Sequence, residues 1–191
     1  MKFGIVATAA AMAFVASAQA GNLHGRVSGA KGESVVYLQS ATAKAVPAST
    51  EHVLINQKGL MFEPHILVVQ QGTTVEFLNS DTVAHNVFWP SINGDKKLGH
   101  NMGTWPQGEK RSFTFTNPGV VPLLCNVHPD MSATIIVSPT PYFAKTDSAG
   151  NYEIKNVPDG AYTVTVWHEG KKAQTAQVTV SGDTKSDAAI K

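Results

Sequence analysis

The chain has 191 residues, with 15 Lys+Arg against 14 Asp+Glu and a formal net charge of +1. That near-balance argues against nucleic-acid binding, which needs a basic surface, and the length allows one or two small domains. A single cysteine, Cys125, excludes an internal disulfide framework.

The first twenty residues read as an export signal. Lys2 is the positive start, Phe3 to Val15 is an apolar, alanine-rich run, and Ala18-Gln19-Ala20 is an A-x-A cleavage pattern, so the mature chain is expected to begin at Gly21. This run is too short to span a membrane, and no later segment is apolar enough to do so. Removing it takes away Lys2 and leaves 14 basic against 14 acidic residues, a formally neutral protein without strong long-range steering by net charge. Export implies a periplasmic or secreted location and an oxidising compartment. A free thiol there is open to oxidation unless something occupies it, and a metal ion would.

Beyond residue 20 the composition reads all-β. Short runs rich in Val, Thr, Ile, Phe and Tyr alternate with Gly, Pro, Asn and Asp clusters. In chain order the predicted strands are Leu23–Val27, Ser34–Gln39, His52–Asn56, Ile66–Gln70, Thr73–Asn79, Arg111–Thr116, Val121–Cys125, Ala133–Val137, Tyr152–Lys155, Ala161–Trp167 and Gln174–Val180. Alternation is clearest in Ala161–Trp167, with Tyr162, Val164 and Val166 on one face and Thr163, Thr165 and Trp167 on the other. Ser91 to Lys110 is predicted to be a long solvated loop.

The chemistry concentrates in Cys125-Asn126-Val127-His128-Pro129-Asp130-Met131, where a thiol, an imidazole and a thioether stand at i, i+3 and i+6. Forty residues earlier is His85, followed by Asn86. Two imidazoles, a thiolate and a weak thioether are the ligand set of a type 1 copper site. Soft sulfur suits Cu(I) and imidazole suits both oxidation states. The short loop turns three side chains towards one point, Pro129 stiffens it, and His85 must come from another part of the chain. His85, Cys125, His128 and Met131 are the candidate metal ligands, with Met131 as the weak axial one; Met61 and Met102 compete for that last role but lie off the loop.

These residues, with Phe62-Glu-Pro64, Gly72-Thr-Thr-Val75-Glu-Phe77-Leu-Asn79, His85-Asn86-Val87-Phe88 and Phe115 to Gly119, resemble a cupredoxin over about residues 52–138. The short ligand loop is most similar to that of amicyanin; plastocyanins and pseudoazurins have a longer gap before the methionine. The resemblance implies a Greek-key β-sandwich, one copper ion and electron transfer to a redox protein such as a c-type cytochrome or a dehydrogenase. It also implies that Asn86 ties the two ligand loops together. Leu123-Leu124 stands where many small cupredoxins place an aromatic, which puts an aromatic-lined path from the ligand strand in doubt.

The two ends of the chain differ from the middle. Gly25-Arg-Val27 at one end, and TDSAGNY (146–152) and VPDGAYTV (157–164) at the other, resemble a carboxypeptidase regulatory-like, transthyretin-like sandwich. The preferred reading is one discontinuous domain from residues 21–50 and 139–191, with a copper domain of residues 51–138 inserted into it. The alternative is a tandem arrangement in which 21–50 supplies edge strands to the copper domain. The regulatory-like part carries no catalytic signature.

An electron carrier is the leading function, and a copper storage or delivery protein using the same site is the alternative. A copper enzyme is disfavoured because no His-x-His occurs among the seven histidines. His100-x-Met102 is a candidate second copper site, and the default for it is a solvated loop. His168 reads as a polar strand-end residue. Val127, Pro129, Trp89, Pro90, Val120 and Pro122 are candidates for an apolar rim around His128, against ordinary sandwich packing.

Overall fold

A computed structural model describes residues 20–40, 47, 50 and 52–191; the segment expected from the sequence to be an export signal lies, apart from Ala20, outside the described residues. The strands are β1 (Ala20–Ser28), β2 (Ser34–Gln39), β3 (Val53–Lys58), β4 (Met61–Glu63), β5 (Ile66–Gln70), β6 (Thr74–Asn79), β7 (His85–Trp89), β8 (His100–Trp105), β9 (Lys110–Thr114), β10 (Gly119–Leu124), β11 (Ser132–Ser138), β12 (Phe143–Lys145), β13 (Asn151–Pro158), β14 (Gly160–His168), β15 (Gln174–Val180), β16 (Thr184–Lys185) and β17 (Ala188–Ala189). The protein is nearly all-β, as expected; a single 3₁₀ turn, Lys96–Leu98, is the helical element among the described residues.

Two sandwiches result. In the central one, a sheet ordered β5-β11-β10-β7-β8 faces a sheet ordered β4-β3-β6-β9. In the other, β1 pairs with β13, β16 and β17, and β2 lies between β12 and β14, with β15 outside. Both early strands thus pair with strands from beyond residue 142, and we call this the terminal sandwich.

Period-2 patterning places the cores. Along β6, Val75, Phe77 and Asn79 point inward while Thr74, Glu76 and Leu78 are half-buried. The central core packs Ile55, Phe77, Val87, Trp89, Trp105, Phe115, Leu123 and Ile135 with Cys125 and Met131. The terminal core packs Leu23, Leu38, Tyr152, Ile154, Tyr162, Val164 and Val166. A third, smaller cluster joins the two: Val35 and Trp167 of the terminal sandwich against Ile66 and Ile136 of the central one. That explains why β11, Ser132–Ser138, is buried at every position after Ser132. One face fills the central core and the other is covered by the terminal sandwich, so the strand reads as a continuous apolar run.

Six strands escape the sequence pattern: β4, β7, β8, β12, β16 and β17. The predicted loop from Ser91 to Lys110 contains the 3₁₀ turn and the edge strand β8. Its sequence, HNMGTW, has neither β-branched enrichment nor clean alternation; Gly103 sits at φ 81°, and the strand exists because β7 supplies a hydrogen-bonding partner.

Candidate metal centre

Three elements of the central sandwich converge at one end. β7 opens with His85, β10 delivers the chain to Cys125, and the turn before β11 carries His128 and Met131. His85 is fully buried, Cys125 is 4% exposed and Met131 1%; His128 is half-buried.

The first ligand loop is built by Asn79, the last residue of β6. Its side-chain amide donates to the carbonyls of Val83 (2.8 Å) and Trp105 (3.1 Å), and its Oδ1 accepts from the Asp81 N–H (2.9 Å). Asp81 is thereby aimed at two targets. Its Oδ1 accepts from the Gly59 N–H (2.7 Å), and its Oδ2 accepts from the Leu60 N–H (2.9 Å) and from His85 Nε2 (2.8 Å). Gly59 and Leu60 form the two-residue turn between β3 and β4, with φ of 64° and 60°, the left-handed pair of a tight hairpin. Desolvation pushes the Asp81 carboxyl up, but the Leu60 and Gly59 N–H groups and the His85 ring outweigh it and hold the carboxyl below the usual aspartate range. The sequence marks Asp81 only by its place four residues before His85.

With Nε2 donating to Asp81, His85 keeps Nδ1 free as an electron-pair donor. That Nδ1 lies 2.9 Å from His128 Nδ1, and the two rings meet edge-on with centroids 4.7 Å apart. Cys125 Sγ is 4.0 Å from His128 Nδ1. The donor atoms of His85, Cys125 and His128 all lie within 4.8 Å of one another, the one such group of three among the described residues. Two nitrogens and a sulfur converging, with His85 and Cys125 buried and His128 half-buried, suit copper. Met131 belongs to the same packed core as Cys125, and its N–H closes the loop onto the His128 carbonyl at 3.0 Å.

Asn86 links both loops. Its N–H donates to Cys125 Sγ (3.4 Å), its Oδ1 accepts from the Asn126 N–H (3.2 Å), and its amide nitrogen donates to Asn101 Oδ1 and the Gly103 carbonyl, both at 2.9 Å. β8, invisible in the sequence pattern, is therefore what orients Asn86.

The other candidates fall elsewhere. The His100 ring stacks on Trp89 (5.3 Å) and Phe113 (5.0 Å), and Met102 packs on the central core. His168 Nδ1 pairs with Ser34 Oγ at 3.0 Å in the terminal sandwich. Of the candidate rim, Trp89 is a core residue at 1% exposure, and Val120, on the face of β10 opposite the buried Val121 and Leu123, packs on the cluster between the sandwiches. Val127 and Pro129 are exposed beside His128. Leu60 (50%), Met61 (56%), Val83 (44%) and Val127 (48%) are exposed apolar side chains on segments that build the site.

Residues 49–138 match the family model for copper binding proteins of the plastocyanin/azurin family, and residues 129–191 match that for the carboxypeptidase regulatory-like domain. The chloroplastic plastocyanin of Oryza sativa subsp. indica is 30% identical over 106 residues, covering 52% of this chain and 69% of that protein. The plastocyanin of Nostoc punctiforme is 34% identical over 88 residues, covering 42% of this chain and 60% of that protein. Among solved structures, a reduced Cu(I) form of an amicyanin mutant aligns with a TM-score of 0.43 and 21% identity over 54% of this chain and 98% of the other. A copper-containing nitrite reductase from Thermus scotoductus SA-01 aligns with a TM-score of 0.43 and 29% identity over 52% of this chain and 24% of that one. From its likeness to the plastocyanins, the chain belongs to the plastocyanin/azurin family of copper-binding electron-transfer proteins, and copper is its cofactor.

Proposed function

We propose that this is an exported, mononuclear type 1 copper protein that carries single electrons between redox partners, with His85, Cys125 and His128 as strong ligands and Met131 as the weak axial one. The observation that carries this reading is the convergence of His85 Nδ1, His128 Nδ1 and Cys125 Sγ within 4.8 Å. Copper, when bound, supplies one reversible Cu(II)/Cu(I) couple. The chain's own residues do the rest. Asp81 fixes the His85 ring with Nδ1 inward, and Asn86 holds the Cys125 and His85 loops at a set separation while its N–H donates to the thiol sulfur. The packed core around Cys125 and Met131 keeps water away from the sulfurs. Little has to rearrange when an electron arrives, because the His85 ring and the Cys125 sulfur are each held by a hydrogen bond to a residue outside the ligand set, Asp81 and Asn86.

His128 is the half-buried ring of the set, and Val127 and Pro129 flank it at the surface. A partner such as a c-type cytochrome or a dehydrogenase is proposed to dock there through a small apolar contact of the kind transient redox complexes use. Export rests on the sequence of residues 1–20. The discontinuous domain, residues 21–50 with 139–191 around an inserted 51–138, is supported by β1 and β2 pairing with β12, β13 and β14.

The test is to load the protein with Cu(II) and record visible and EPR spectra before and after one-electron reduction and reoxidation. An intense thiolate-to-copper band that Cys125→Ser abolishes, and that returns fully on reoxidation in the presence of a Cu(I) chelator, is expected. A band that survives Cys125→Ser overturns the ligand assignment. Loss of Cu(I) to the chelator in each cycle replaces the carrier with a storage or delivery protein.

A further inference from the structure

The central and terminal sandwiches touch close to the copper end, and the contact includes a side chain that no step so far has used. We infer that His65 is a positioning residue for the copper site: by bridging Glu169 of the terminal sandwich to the Ser132 carbonyl beside Met131, it lets the terminal sandwich set the position of Met131 and thereby the reduction potential. This inference rests on the reading of Met131 as the axial ligand.

His65, one residue before β5, grips β11 twice. Its backbone carbonyl accepts from the Thr134 N–H at 2.8 Å, and its ring Nδ1 lies 3.1 Å from the Ser132 carbonyl oxygen. The ring Nε2 lies 3.0 Å from both carboxylate oxygens of Glu169, at the turn between β14 and β15. Both partners only accept hydrogen bonds, so the ring satisfies them together when each nitrogen carries a hydrogen.

Glu169 is itself fixed by what precedes it. His168 is tied to Ser34, and Trp167 packs on Ile66 and Ile136 with Val35. Lys145 of β12 adds a second polar tie, donating to the Ile66 carbonyl while lying 2.9 Å from Glu33. A rigid edge of the terminal sandwich therefore ends in a carboxylate that orients an imidazole, and the imidazole orients the peptide just past Met131. On the other side, the Met131 N–H is held by the His128 carbonyl and Ser132 stands opposite Leu124 in the β10–β11 ladder, so the His65 ring adds a further hold on the segment carrying the thioether.

As an ion pair this bridge contributes little stability. The side chains are 50% and 52% exposed, and solvent screens such exposed pairs. Its leverage is geometric. A weak, long thioether contact responds to small displacements, and axial donation tunes the potential. The same weakness makes the bridge removable without unfolding the protein.

The experiment uses the copper-loaded full chain and compares wild type, Glu169→Ala, Glu169→Gln, Met131→Leu and the double variant Glu169→Ala with Met131→Leu, by reduction potential and EPR copper hyperfine splitting. In metal-free protein, NMR follows the His65 ring nitrogens and the amides of Met131, Ser132 and Ala133. Glu169→Ala is expected to keep full copper stoichiometry, move the Ser132 and Ala133 amides, and raise the potential in the same direction as Met131→Leu. Glu169→Gln, which still accepts from the ring, is expected to stay near wild type, and the effect of Glu169→Ala is expected to vanish in the Met131→Leu background. If Met131→Leu raises the potential and Glu169→Ala leaves it unchanged, the bridge falls and the axial reading stands. If Met131→Leu itself changes nothing, the axial reading falls and takes the bridge with it. A Glu169→Ala shift that persists undiminished without Met131, or is matched by Glu169→Gln, is a charge effect and also overturns the inference.

Discussion

At the scale of single residues, Asp81 has the most to teach about the site. Its carboxylate has three partners, the Gly59 and Leu60 N–H groups and His85 Nε2, and each favours the ionised form. Its folded-state pKa is held below the ordinary value despite desolvation. A depressed carboxylate contributes stability above its unfolded pKa, about 3.9, and that contribution is lost as pH falls through the lower folded value. Urea titrations of metal-free protein should therefore show wild type losing stability below about pH 4 more steeply than Asp81→Asn, while the two curves run parallel near neutrality. Asp81→Ala also frees the His85 ring, and removing such an outer partner typically costs about 10–100-fold in metal affinity. Competition with a chelator of known affinity would measure it, and an unchanged copper affinity would mean that burial alone orients His85. The proposed ligands Cys125, His128 and Met131 were legible in the sequence because a lone cysteine with His and Met at fixed short spacing lies on one turn. Asp81 was not, because its meaning depends on the Gly59-Leu60 turn, more than twenty residues away in sequence.

At the scale of elements, glycine explains why β1 carries the G-x-V of Gly25-Arg26-Val27. A Cβ at Gly25 would lie 1.9 Å from the Ser186 carbonyl oxygen, because the C-terminal segment runs against β1, with β16 and β17 pairing parallel to it. Gly25→Ala must push that segment away and is expected to destabilise the terminal sandwich by about 1–3 kcal/mol, the usual range for forced overpacking. Hydrogen exchange should locate the loss in residues 184–190 and leave the copper spectrum unaltered. Strands with strong alternation or a continuous apolar run, such as β6, β11 and β14, are readable from local sequence. β8 and the two-residue strands β16 and β17 are not, since a partner's free backbone groups, rather than their own side chains, make them strands.

For the whole molecule, the question is how far each sandwich stands alone. The central one has its own core of Ile55, Phe77, Val87, Phe115 and Ile135, and every ligand candidate lies within it. A fragment of residues 51–138 is expected to fold and take up copper, with lower thermal stability than the full chain because Ile66 and Ile136 lose the cover of Val35 and Trp167. Calorimetry and the visible spectrum of the fragment check both halves. An unfolded fragment rescued by residues 21–50 alone would assign those residues to the copper domain and end the insertion reading.

The sequence by itself determined the all-β class, and it supplied the candidate ligand types and their order, because each depends on side-chain chemistry or on a repeat of two residues within a short window. Only the tertiary structure decided which strands are neighbours, why β11 is covered on both faces, what fixes the rings of His85 and His65, and that Trp89 packs in the central core and Val120 between the sandwiches rather than rimming the site. The physical reason is the same in each case. Those features depend on contacts between residues far apart in the chain, such as Ser34 with His168 and His65 with Glu169, which exist only after the chain has closed on itself.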